Sequence, residues 1–411
     1  MWKRTIVRTS LALATLFVAF LLYLAVRIYI NDKRLNRELA NIQSAGDPIF
    51  IADLAPPPLP QDRDAAIVMR TIRDDVRAFN REVDRVCDDE DDAIENLTDV
   101  QLEGMGAAFA AHPDILPIIQ EAVALDGYDW NVDYSKSPPS LMEKLGDDFA
   151  AHREVVHVLV LHAAVQRAHN RWDEAARVAI PILKLGSHFN RDRALVFFLG
   201  SLGLRSTAVD VANRGLRGNP VSEETQRLLH EEFARADLVG EYVDALKGER
   251  AYGIACIRQG PRPIGIPLLR RAPNLLNYLE LIEANIRTAP APYSAHQGTL
   301  IPPQSNAPDY RFAMLVQPTL EATRDAFERT RARMRAIRVL MAIVTRDDPD
   351  APAPADLTDF GLPKDATIDP FNSQPLRVKP TSQGWVVYSV GRDLVDNGGK
   401  LDDLSDIGVA P

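Results

Sequence analysis

Arg8 and Arg27 bracket eighteen uncharged residues, TSLALATLFVAFLLYLAV. No feature of the chain constrains its fold more. About 20 residues at about 1.5 Å rise cross a hydrocarbon core of about 30 Å. Ile28, Tyr29 and Ile30 lengthen the apolar run if Arg27 snorkels to the interface. A cleaved signal peptide has a shorter apolar region and a small-residue cleavage site. Here the charged, helix-forming stretch NDKRLNREL follows Ile30 instead. The pattern predicts an uncleaved transmembrane anchor over residues 1–35, meeting the lipid bilayer through residues 9–30. Lys3, Arg4 and Arg8 precede the span, and Arg27, Lys33, Arg34 and Arg37 follow it. The positive-inside balance is therefore near even. A short basic tail held in the cytoplasm puts residues 31–411 outside a cytoplasmic membrane, with the opposite orientation as the alternative.

Beyond the anchor the composition is that of a globular protein, 46% apolar and 25% charged. A formal charge of -10 excludes nucleic acid as a main partner, because a polyanion needs a net basic face. Two cysteines, Cys87 and Cys256, are too few for a disulfide framework. One bridge between them is left open, and two small buried hydrophobes are the plainer reading.

Punctuation along the chain divides the rest. Residues 36–63 read as a stalk and Pro-rich linker, with Ala55 to Pro60 a stiff extended spacer. Residues 64–287 read as a helical body. Ile67, Ile72, Val76, Phe79, Val83 and Val86 share one helical face there. The stretch from His152 to Gly186 reads as a helical hairpin turning at Asn170 and Arg171, and it resembles a single tetratricopeptide-type hairpin. No second copy follows at a period near 34, so packed antiparallel helices are expected rather than a repeat array. Residues 288–312 form a Pro-rich loop, 313–346 a long helix, and 347–368 a second linker. Val316, Leu320, Thr323, Phe327, Thr330, Met334, Ile337, Met341 and Val344 alternate spacings of four and three. That is a heptad register open to self-association, but its threonines favour docking on the same chain. Cys87 is followed by five carboxylates, DDEDD, expected as a solvated loop because no EF-hand glycine or terminal glutamate is in register.

The last 43 residues, 369–411, change character. Trp385 to Tyr388 form a β-rich run, and Leu376 and Val378 supply a hairpin partner across a turn around Ser382 to Gly384. The fold class expected is mainly α, with an N-terminal transmembrane helix, a helical-hairpin body and a small C-terminal β-hairpin module. The module begins at Asp369-Pro370 and runs through Tyr388-Ser389, Gly391, Asp393 and Gly398-Gly399 to Asp406-Ile407-Gly408. This order resembles the C-terminal part of the major pseudopilins of type II secretion systems, where the corresponding loop binds calcium. It also resembles the ending of membrane-anchored proteins of planctomycete-type bacteria, whose helical body closes in a similar DPF and YSVG pattern. The resemblance implies calcium at Asp393, Asp396 and Asp406. Independently, Asp393, Asp396, Asp402, Asp403 and Asp406 crowd the hard oxygens that calcium prefers into one short stretch beside two glycines. The pseudopilin glycine after the first aspartate is Leu394 here, the final acidic pattern is one residue longer, and the pilin processing junction is absent. The likeness therefore covers the module and not the whole chain.

Local catalytic signatures are missing. His152, His157 and His162 are five apart on one helix and diverge around it. No H-E-x-x-H, C-x-x-C, G-x-S-x-G or phosphate-binding glycine loop is present. The expected function is a membrane-anchored envelope scaffold that presents its helical body to a protein partner. An accessory of a secretion machine is one alternative. A hydrolase with a non-local site beside the 288–312 loop is the other.

Overall fold

The computed structural model describes residues 2–87, 95–135, 145–217, 221–259, 271–296, 308–344, 356–382, 384–401 and 405–410. The acidic run 88–92, Asp402 and Asp403 lie outside the described residues, as do most of the Pro-rich loop and residues 345–355. Helix α1 (Trp2–Ser44) begins the chain. Its apolar window has a mean hydropathy of 2.3 with none of it buried, so it is long and apolar enough to cross a membrane. Past the apolar run the helix continues unbroken as a polar segment through Arg37 to Ser44. Its far end docks: Leu39 is buried, and Leu35 and Ile42 pack against the core. Asp47, just past the end, pairs with Lys247 and Arg250 at 2.8 Å.

The body is layered from α2 (Ala65–Thr71), α3 (Arg73–Asp84), α4 (Asp99–Ala111), α5 (Ile115–Val123), α6 (Leu145–Ala168), α7 (Trp172–Arg177), α8 (Ala179–His188), α9 (Leu195–Leu216), α10 (Glu223–Arg235), α11 (Leu238–Gln259) and α12 (Arg271–Thr288). The predicted hairpin is present. Asn170 turns it with φ +59°, a conformation asparagine tolerates. Its second arm splits into α7 and α8, because Pro181 offers no N–H to the carbonyl of Arg177. Helix α9 is also apolar enough to pass for a membrane span, yet 56% of its window is buried. It is the central core helix, in contact with α7, α8, α11 and the long helix α14 (Arg311–Val344). Gly248 lets α11 run against the carbonyl of Arg193, where a Cβ would collide at 1.5 Å. Cys87 is buried and Cys256 exposed, with no disulfide between them.

The heptad seam of α14 is spent inside the chain. Leu320, Phe327, Met334, Ile337 and Met341 are all buried, and Phe327 stacks on Tyr242 at 4.6 Å. The same helix carries the C-terminal module, an antiparallel sheet in the order β1 (Arg377–Thr381), β2 (Gly384–Ser389) and β3 (Ile407–Val409). The predicted hairpin is in register, Val378 opposite Val387 and Arg377 opposite Tyr388. Strand β3 adds to β2 through Tyr388 opposite Gly408. One-turn helices α13 (Tyr293–His296) and α15 (Lys364–Thr367) seat the module's start, with Tyr293 N–H donating to the Pro370 carbonyl at 3.0 Å. The residues read as a linker before Ile368 are thus packed structure where described, with Leu357 and Ala366 buried.

The diverging histidines end in different surroundings. His157 meets Asn80, and His162 lies edge-on to Phe109. His152 sits in an aromatic nest of Tyr128, Trp130 and Phe189, its Nδ1 against the Asp148 carbonyl at 2.9 Å. Burial pushes its imidazole down to about 3, partly opposed by that carbonyl. Burial likewise lowers His188 to about 4, while Asp192 is raised to about 6. Neutral histidines in the folded chain face an unfolded chain that binds protons below about 6.5. Their contribution is complete above that pH and is lost as the pH falls through about 4 for His188 and about 3 for His152. Asp192 works in the opposite sense over part of that range. Comparing two variants cancels its effect. Denaturant titrations of His152→Leu are therefore expected to show a pH slope shallower by about 1.4 kcal/mol per pH unit between about pH 6 and 4. An unchanged slope would contradict this account of the nest.

Candidate functional site at the C-terminal module

The module is organised by a carboxylate that the sequence reading quoted but gave no role. Asp369 is fully buried. Its Oδ1 accepts from the Phe371 N–H at 2.8 Å and the Ser389 hydroxyl at 2.7 Å, and its Oδ2 accepts from the Val390 N–H at 3.0 Å. A buried carboxylate is tolerable only with such donors. The acid therefore pins the entry turn to the end of β2. The available signal was the Asp-Pro-aromatic start itself, an Asx turn waiting for its acceptors.

The structure brings the three predicted aspartates into one turn but gives each its own work. Asp406 is fully buried, and its carboxylate accepts from the N–H groups of Asn397 at 3.2 Å and Gly399 at 2.7 Å. It ties the glycine turn to β3. Asp393 caps its own turn, accepting from the Val395 N–H at 3.0 Å and the Asn397 side chain at 3.2 Å. Asp396 accepts from the Gly398 N–H at 2.9 Å, Tyr388 Oη at 3.1 Å and Arg377 Nε at 2.7 Å. The Gly398 N–H, then Tyr388 and Arg377, hold Asp396 below the usual carboxylate range. Burial, then the neighbouring Asp396, push the Tyr388 phenol up to about 12. The Gly398 carbonyl, which could face a cation, takes Lys379 Nζ at 2.8 Å. Two backbone positions set this path. Gly391 has φ +66° with the Ser405 carbonyl 2.3 Å from where a Cβ would stand. Leu394, where the pseudopilin pattern carries glycine, adopts φ +60°. That conformation costs a branched-chain residue about 1–2 kcal/mol.

Calcium takes six to eight oxygens around one centre. Among the described residues no three His, Cys, Asp or Glu side chains converge in that way. As arranged, the acceptors are filled by N–H groups and by Arg377 and Lys379. A calcium drawing on Asp396 or the Gly398 carbonyl would compete with Arg377 or Lys379 there.

The periodicity reading also passed over a basic stripe on α14. Arg331 and Arg335 border two clefts, of about 160 Å³ against α10 and α11, where Arg338 joins them, and about 440 Å³ against the 364–373 segment. Arg331 pairs with Glu328 at 2.7 Å, and Arg335 donates to the Ile368 carbonyl at 2.7 Å. Burial lowers Arg335 to about 10, helped by Arg331. Lys364 and Asp365 complete the wall of the larger cleft. Such a groove can bind an anionic group. Asp237 and Asp365 also line the smaller cleft, and Asp365 and Asp369 the larger, so the arginines share these walls with carboxylates.

No family model, curated protein or solved structure matches this chain.

Proposed function

We propose that this protein is a membrane-tethered scaffold of a bacterial envelope, anchored in the cytoplasmic membrane with its body outside the cytoplasm. One observation carries the reading. The exposed apolar half of α1 and the half docked on α12 belong to one unbroken helix. A catalytic domain on a flexible leash needs no such continuity. A platform holding a binding surface at a fixed height above the bilayer does. The basic groove along Arg331, Arg335 and Arg338 is the surface offered to an acidic segment of a protein partner.

A calcium-stabilised terminal turn is a second reading. Asp393, Asp396 and Asp406 favour it, since they share one turn beside the Gly398 carbonyl. Thermal melts of the full chain in calcium and in chelator decide it. Bound calcium raises the melting temperature, an effect equivalent to about 2.7 kcal/mol at a hundredfold excess over the dissociation constant, and Asp393→Ala abolishes the rise. Superimposable melts in calcium and chelator end this reading and leave the turn closed by Arg377 and Lys379.

The location is tested with a C-terminal alkaline-phosphatase fusion in a bacterial host, since that reporter folds only outside the cytoplasm. Membrane-bound, active fusion is the expected result. An inactive fusion alongside an active C-terminal fluorescent protein reverses the orientation, and recovery in the soluble fraction removes the anchor.

A further inference from the structure

The start of α14 stands beside the point where α1 would leave the bilayer. Arg27 reaches Asp309 at 3.5 Å, and the Asn277 side chain holds the Asp309 carbonyl at 3.0 Å. Leu24 and Ile28 are half-covered while their neighbours on α1 stay open, so the body approaches α1 within the apolar run itself. Just past Asp309 come Met314 and Leu315, 45% and 73% exposed. Among the described residues outside α1, they are the only adjacent pair of large apolar side chains left in the open. Their neighbours face inward, with Ala313 buried and Phe312 against Tyr278 at 5.0 Å. The turn is thus firmly held, and the exposure is a property of one face.

We infer that this face, Met314 and Leu315 with Arg311, is a second contact with the phospholipid surface, inserted at the headgroup level beside α1. The inference rests on the anchored reading above. Leu315 lies six residues past Asp309, across the end of a 3-10 turn and the first turn of α14, about 10 Å of rise. The headgroup layer adds roughly 5–8 Å to each side of the hydrocarbon core. Phe312 on Tyr278 and Arg324 at the end of α12 make α14 run alongside α12 and away from the span. Arg27 lies three residues, about 4.5 Å, short of the end of the apolar run at Ile30. Leu315 therefore falls about 5 Å past the hydrocarbon core, within that layer. Arg311 is exposed on the same turn, and Lys33, Arg34 and Arg37 are exposed along α1 past the span. Cations at that level suit lipid phosphates. Apolar side chains flanked by cations are what an interfacial helix face presents. Two points of attachment, α1 and this turn, fix rotation of the body about the α1 axis, which one helix alone cannot do.

The test uses the full chain, carrying Cys256→Ser, in vesicles of phosphatidylethanolamine and phosphatidylglycerol. Buried Cys87 leaves labelling to an introduced thiol. An environment-sensitive fluorophore is placed by Leu315→Cys, with Met314→Cys as a second site and Val18→Cys as the control within the span. Lipids spin-labelled near the headgroup are expected to quench the Leu315→Cys label at least twofold and lipid insertion to protect it from aqueous iodide, while lipids spin-labelled deep in the acyl chain quench Val18→Cys. A Leu315→Cys label open to iodide and untouched by the lipid quencher, with Val18→Cys still quenched from within the bilayer, overturns this contact alone. If Val18→Cys also escapes lipid quenching, the anchored reading falls with it.

Discussion

The Arg324 guanidinium, buried and shared between two helices, is the interaction on which the rest of the architecture leans. It donates to the carbonyls of Thr288 at 3.1 Å, Ala289 at 3.2 Å and Ala291 at 2.5 Å, so it closes the C-terminal end of α12. Helix ends leave carbonyls without intrahelical donors, and a cation there also meets the favourable end of the helix dipole. Pro290 and Pro292 stop α12 at that point and supply no N–H of their own. Glu328, fully buried, balances Arg324 at 2.6 Å and Arg331 at 2.7 Å. Removing one partner of such a set leaves an uncompensated buried charge, at a cost of about 3–5 kcal/mol. The set is therefore a registry device: α14 can meet α12 in one alignment only.

That alignment propagates in both directions. Helix α12 receives α1, so the anchor's angle to the body follows from the α12–α14 joint. Helix α14 receives β2 and β3, so the position of the C-terminal module follows from the same joint. The terminal residues extend the closure, as Asn213 on α9 donates to the Ala410 carbonyl at 2.7 Å. Anchor, body and module form one connected packing unit, with Asp47 bound to Lys247 and Arg250 at one end and Asp369 holding the module's entry turn at the other.

Much of this was legible in the sequence where one physical term dominates. The long apolar helix α1 was readable because eighteen uncharged residues in a row leave its length and hydropathy in no doubt. The seam from Leu320 to Met341 was readable because its period matches the helix. The hairpin of β1 and β2 followed from alternation around a turn. Other features depended on contacts far apart in sequence. Arg324, Glu328, Arg331 and Arg335 repeat at the same four-and-three spacing as the apolar seam, but a charged row at helical spacing ordinarily faces water. Only the end of α12 and the Ile368 carbonyl, both folded back onto it, make the row internal. Strand β3 is three residues long and exists through pairing with β2. At the terminal turn the sequence shows an acidic, glycine-rich stretch but not what occupies its carboxylates. Asp393, Asp396 and Asp406 fall in one turn, but the donors that satisfy them come from the backbone, Asn397, Tyr388 and Arg377, which no spacing rule points to.

Helix α1 and the body move as one piece in this architecture. Double electron–electron resonance on the full chain in lipid nanodiscs tests it most directly. Spin labels are placed by Val18→Cys on the exposed apolar half of α1 and by Ser382→Cys on the exposed β1–β2 turn, in the Cys256→Ser background. A single narrow distance distribution is the predicted result, broadened markedly when Arg324→Ala opens the α12–α14 joint. A broad distribution in the otherwise unaltered chain would show a body swinging freely on its anchor and would contradict the account.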